Sequence, residues 1–65
     1  MNTGERIKKR RRELGISVDD VALAIGKNRA TVYRYEKGSI EKIPTSVLIP
    51  LAKILSTTPD YLIGG

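Results

Sequence analysis

The chain has 65 residues, enough for one domain with a small core. It contains no cysteine and no histidine, which removes disulfides, the usual zinc sites and the Cys–His and Ser–His nucleophile pairs; a reducing cytoplasm suits such a chain. Twelve Lys/Arg stand against seven Asp/Glu, a net charge of +5, and an excess of that size on a small domain points to an anionic partner, most simply nucleic acid.

Residues 3–14 read as a first helix. Asn2 or Thr3 caps it, and Glu5 stands three residues after Asn2, the spacing of a capping box. Ile7 and Leu14, seven apart, share its apolar face. Lys8 to Arg12 is an unbroken basic run, read as a solvated surface at Lys8, Lys9 and Arg12. Gly15 is a left-handed C-cap. The start MNTGERIKKRR is basic, but no hydrophobic stretch follows it, so it is not a signal peptide. No apolar run approaches the ~18 residues of a membrane span.

A second helix starts from Ser17 as N-cap, with Asp19 and Asp20 in the first turn, where carboxylates suit the helix dipole. Val18, Val21, Ala22 and Ile25 form an i, i+3, i+4, i+7 stripe toward the core. Gly26 supplies the positive φ of a sharp turn. Asn28 then caps a third helix, in which Val32 and Tyr35 face inward and Arg29, Ala30, Tyr33, Arg34 and Lys37 face outward. Gly38 closes it. Ser39 to Ile43 is a polar loop with Ile40 and Ile43 as anchors.

A fourth helix begins near Pro44 or Thr45 and runs to about Leu55, with Val47, Leu48, Leu51, Ala52 and Leu55 on its apolar face. Pro50 lacks an amide hydrogen and clashes with the carbonyl four residues back. Either this helix starts late or it is kinked there. Thr58 caps a short last helix with Pro59 at its first position, and Tyr61, Leu62 and Ile63 close the core. The whole is an all-α bundle of about five short helices, one domain over 1–65. Within it, residues 17–38 form a helix-turn-helix whose second helix, 28–37, is suited to reading DNA.

Ile7-x-x-x-Arg11, Gly15-Ile16-Ser17, Val21-Ala22, Gly26, Thr31-Val32-x-x-Tyr35-Glu36-x-Gly38, Pro44, Leu51-Ala52 and Asp60-Tyr61-Leu62 follow one another at spacings that cover nearly the whole chain. In this ordered set the chain resembles the lambda-repressor/Cro-like (Xre) family of helix-turn-helix domains. The stretches IEKIPTSVLIPLAKIL and TPDYLIGG look most like repressors of temperate phages and related mobile elements. The resemblance implies a third helix that enters the DNA major groove. It puts base contacts at Arg29, Ala30, Tyr33 and Arg34, and phosphate or flanking contacts at Asn28, Thr31 and Lys37. It also pairs Arg11 with Glu36, linking the first helix to the end of the third, with Arg11 still able to offer a donor to phosphate. The family often has Gln, a phosphate ligand, where this chain has Val18. It usually has an apolar residue where this chain has Arg10, which is expected to snorkel toward the DNA backbone.

The chemistry of the outward face fits that reading. Arg presents a planar fork that bonds guanine O6 and N7 together. Arg34, in mid-helix, is the stronger base reader, while Arg29 at the N-terminus suits a base or a phosphate. Ala30 offers a methyl to a thymine methyl, or is a helix filler. Tyr33 packs on a sugar, bonds a phosphate or covers its neighbours. Ser17, Lys27, Lys37, Ser39 and Lys42 surround the helix as phosphate ligands. The expected activity is sequence-specific binding of double-stranded DNA by a regulator, most simply a repressor acting as a homodimer on a two-fold operator. The competing reading is a protein-interaction or antitoxin module on the same fold, which would expose an apolar patch on that face. No acid–base pair suggests an enzyme, and no cofactor or metal site is expected. Related repressors carry a further C-terminal domain for dimerisation, so the chain is expected to be a fragment or a minimal regulator.

Overall fold

The computed structural model describes residues 1–38 and 43–64. These form five helices, α1 (Thr3–Leu14), α2 (Val18–Ile25), α3 (Arg29–Lys37), α4 (Thr45–Ile54) and α5 (Pro59–Ile63), and no strand among the described residues. None of these helices is long and apolar enough to cross a membrane.

Local sequence sets most of the boundaries. At α1, Asn2 Oδ1 accepts from the Glu5 amide at 2.8 Å while the Asn2 amide donates to Glu5 Oε1 at 2.9 Å, a complete capping box. Ser17 and Asp20 make the same reciprocal pair at α2, each bond 3.0 Å long. Asp in place of Glu still reaches back. At α3, Asn28 Oδ1 accepts both the amide and the hydroxyl of Thr31, each at 2.9 Å. The turn between α2 and α3 rests on Gly26, whose φ of 69° an L side chain rarely adopts.

The core joins Ile7 of α1, Val18, Val21, Ala22 and Ile25 of α2, and Val32 and Tyr35 of α3. Ile43, Val47, Leu51, Ala52, Leu55 and Leu62 complete it. Helix α3 packs on α1 and α2, while α4 supports α2 and α5 braces α1. At one point backbone meets backbone. A Cβ on Gly4 would collide with the Glu36 carbonyl oxygen and stand 2.7 Å from that of Tyr35. The start of α1 therefore lies directly on the end of α3.

Two expectations change at the element ends, and one open alternative closes. Leu14 is 38% exposed rather than sharing the burial of Ile7. It is the last residue of α1 and overhangs the core, and Ile16, beyond the Gly15 turn, packs there instead. Ile63 is also exposed, because α5 is a short helix whose inward position belongs to Leu62. Helix α4 starts at Thr45 and carries Pro50 inside it, so the late start is excluded. The carbonyl that Pro50 leaves without its intrahelical donor is that of Ser46, an exposed first-turn residue open to water. Ile40 lies outside the described residues.

Arg10 also departs from expectation. It does not reach outward from α1. Its Nε donates to the Leu55 carbonyl and its Nη2 to the Ser56 carbonyl, both at 3.1 Å, and Nη1 meets Glu13 Oε1 at 3.1 Å. Leu55 caps the C-terminus of α4, and Ser56 follows with a left-handed φ of 52°. A guanidinium there satisfies carbonyls that the helix end leaves free and suits the negative end of its dipole. Arg10 thus ties α1 to the α4–α5 corner.

Candidate nucleic-acid interface

Helix α3 divides cleanly by phase. Val32, Tyr35 and Glu36 are buried, and Arg29, Ala30, Tyr33, Arg34 and Lys37 are exposed. At 100° per residue the exposed set spans an arc of about 140°. No described helix covers that arc, so a second macromolecule can approach it along its length.

The base of α3 is held by charge. Arg11 Nε lies 2.7 Å from Glu36 Oε2 and Nη2 lies 3.3 Å from Oε1, a forked contact between α1 and α3. The side chains are only 14% and 4% exposed. Arg11 Nη1 also donates to the Ile16 carbonyl at 3.4 Å. The hydrogen bond to Glu36 raises the Arg11 pKa further, against the opposing effect of burial. A carboxylate this deeply buried is tolerable because its partner is fixed in place.

The N-terminal end of the face carries a second fork. Arg29 Nε donates to Asp19 Oδ1 at 2.9 Å, and Nη2 donates to Oδ2 at 2.7 Å. Both side chains are well over half exposed. The hydrogen bonds from Arg29 lower the Asp19 pKa, and the same bonds raise that of Arg29. The sequence marks Asp19 only as a helix-dipole residue, because nothing in its spacing shows that it faces the start of the next helix.

Around these anchors lie the remaining cations. Lys27 and Lys37 are exposed at the two ends of α3. Lys8, Arg11 and Arg12 of α1 and Tyr33, Glu36 and Lys37 of α3 line a groove of about 350 Å³. Lys8 and Arg12, which the sequence marks as solvated, thus line the same groove as Tyr33 and Lys37. Their i, i+4 spacing on α1 was visible, but the partner helix was not. The Ser17 and Thr31 hydroxyls are both engaged in capping, Ser17 as acceptor and Thr31 as donor. Ser39 and Lys42 lie outside the described residues.

Two short helices joined by a left-handed glycine, with the second held from behind and open in front, define a helix-turn-helix domain. The helix-turn-helix family model matches residues 7–62, and the chain belongs to this family. Its structure is similar to that of the P22 c2 repressor protein in complex with synthetic operator 9T in the presence of Tl+. The TM-score is 0.89 at 30% identity, covering 100% of this chain and 97% of that one. A further relative, from Pyrobaculum aerophilum, is named as an HTH-type transcriptional regulatory protein. It is 45% identical over 38 residues, or 58% of this chain. The chain spans only 15% of that relative's length. Fold and family are those of DNA-binding regulators of the phage-repressor type.

Proposed function

We propose that the chain binds double-stranded DNA sequence-specifically, as the DNA-binding domain of a transcriptional repressor. The observation that carries this reading is the open face of α3. It carries cations from Arg29 through Arg34 to Lys37, and three buried residues fix it from behind. An α-helix of this kind fits the major groove, where each base pair presents a distinct pattern of donors and acceptors. The similar repressor solved with a synthetic operator supports it.

In this reading the entire chain acts as one domain, and its activity is binding rather than catalysis. Arg29 and Arg34 bond guanine edges, Ala30 lies against a thymine methyl, and Tyr33 packs at the groove wall. Lys27, Asn28 and Lys37 meet phosphates, joined by Lys8 and Arg12 from the groove between α1 and α3. Ser17 caps α2 and Thr31 steadies the Asn28 cap of α3, and the first amides of both helices are themselves donors for phosphate oxygens. Arg10 and Arg11 act as braces. Two copies on a two-fold operator would place their α3 helices in half-sites about one helical turn apart.

Exposed apolar side chains off the α3 face, such as Leu23 and Ile49, do not form the patch that an interaction module would present there. Selection of bound duplexes from a random pool tests the function directly. The expected result is one enriched motif with two-fold symmetry, bound with an affinity that falls steeply with salt. Enrichment of no motif would overturn the reading.

A further inference from the structure

Arg29 raises a question that the α3 face alone does not answer. A lone arginine at the N-terminal end of a recognition helix serves equally well as a base reader or as a phosphate clamp. The fork with Asp19 separates the two. A guanidinium has five N–H donors in a rigid plane. Asp19 takes one from Nε and one from Nη2, along the side edge. The second Nη2 donor and the Nη1 donor beside it remain as the parallel pair of the end-on edge, and the other Nη1 donor points back beside Cδ. With the side edge held by Asp19, that edge is the parallel donor pair left to bond guanine O6 and N7 together.

The carboxylate has a second effect. It offsets the guanidinium charge at contact distance, so the pair attracts the phosphate backbone much less than a free arginine would. Directional bonding to a base edge survives this, and undirected attraction to phosphates does not. The location suits such a role. Asp19 stands in the first turn of α2 and Arg29 is the first residue of α3, so the fork closes across the Gly26 turn. The pair is exposed and holds no core together.

We propose that Asp19 is a specificity-determining positioning residue, which orients Arg29 to read a guanine in the major groove and withholds it from the DNA backbone. The proposal rests on α3 being the DNA-reading helix, and it adds a residue from outside that helix to the recognition code. Asp19 does not touch the base. It decides which edge of Arg29 does.

The test uses the duplex that the wild-type chain selects from a random pool, the same duplex with each base pair changed in turn, and an unrelated duplex. Wild type, Asp19→Ala and Arg29→Ala are titrated against all of them at several salt concentrations. Arg29→Ala identifies the base pair that Arg29 reads. Asp19→Ala is expected to lose about tenfold or more of the discrimination at that same base pair. Its affinity for the unrelated duplex should be unchanged or tighter, with a steeper dependence on salt, because one more cation is free for phosphates. Asp19→Asn, which removes the charge and one acceptor while keeping the shape, should show the same pattern, and a thermal melt confirms that each variant is folded. Full discrimination retained in Asp19→Ala would overturn the proposal. So would uniform weakening on every duplex, the mark of a merely structural residue. If the wild-type chain selects no duplex at all, the DNA-reading role of α3 fails and this proposal with it. Loss of the Asp19 effect alone leaves that role intact.

Discussion

Arg11 and Glu36 meet across 25 residues of sequence, with Nε 2.7 Å from Oε2, and so tie α1 to the last turn of the exposed-faced helix. Removing either partner leaves the other short of its counter-charge in a largely buried site. Glu36→Ala and Arg11→Ala should each cost about 3 kcal/mol of stability. The double variant should lose less than the sum of the two, since residues in direct contact are not additive. Urea unfolding of the three variants measures both quantities. A double-variant cost equal to the sum of the two single costs would mean that the contact contributes nothing of its own.

Arg10 predicts a different pattern. Its guanidinium bonds the Leu55 and Ser56 carbonyls rather than facing outward. Arg10→Met keeps much of the apolar stem and removes the donors. It should lower stability by about 1–3 kcal/mol, the range for hydrogen bonds to a charged group. DNA affinity and its salt dependence should stay at the wild-type level once the variant is folded. A flatter salt slope in Arg10→Met would return Arg10 to the list of phosphate ligands.

Arg34 and Lys37 are both exposed on α3, yet they should fail differently when truncated. Arg34→Ala should cost about 1–3 kcal/mol on the selected duplex and relax one base position. Lys37→Ala should weaken selected and unrelated duplexes alike and reduce the salt slope by about one. Competition titrations separate the two patterns. Uniform weakening by Arg34→Ala would remove it from the set of base readers.

The Asp19–Arg29 fork has a pH signature. The bonds from Arg29 hold the Asp19 carboxyl below the ordinary aspartate range. A group whose folded pKa is lowered contributes stability that is present above its unfolded pKa. That contribution is lost as pH falls through the lowered folded value. Because the pair is exposed, the contribution is small and screened by salt. A carboxyl-detected NMR titration should place the Asp19 midpoint below the ordinary range, and Arg29→Ala should move it back up. An unmoved midpoint would show that the fork does not persist in solution.

Gly4 offers a severe substitution without any charge in it. A Cβ there would meet the Glu36 carbonyl, which is backbone and cannot turn aside. Gly4→Ala should destabilise the fold by about 3 kcal/mol despite the higher helix propensity of alanine. Thermal unfolding checks it, and a stabilised variant would mean that the two helix ends are free to separate.

What could be read from the chain follows from how local each feature is. Ser17, Gly26 and Asn28 set the ends of α2 and α3 through bonds spanning a few residues, and the Val18–Ile25 stripe marks an inward face at helical period. These were legible. The Arg11–Glu36 pair came only from the family resemblance, since no periodicity connects positions so far apart. Asp19 facing Arg29 depends on the angle at which α3 leaves the Gly26 turn, and Arg10 reaching Leu55 depends on how α1 lies across the α4–α5 corner. Such angles are tertiary quantities, and the basic run from Lys8 to Arg12 looks uniform until they are known. Leu14 and Ile63 were misread for a related reason. Leu14 has the phase of Ile7 but lies past the end of the core, and Ile63 stands one position round the helix from Leu62, which takes the inward place.

The contact at Gly4 acts at a distance, as a lever. From the Glu36 end of α3 to Arg29 is about 10 Å of helix. If a side chain at position 4 pushed the far end aside and tilted α3 by about 10°, Arg29 would swing by nearly 2 Å, beyond the roughly half-ångström tolerance of a preorganised site. A glycine at the opposite end of the helix, far from any base, therefore helps to set where the arginine lands.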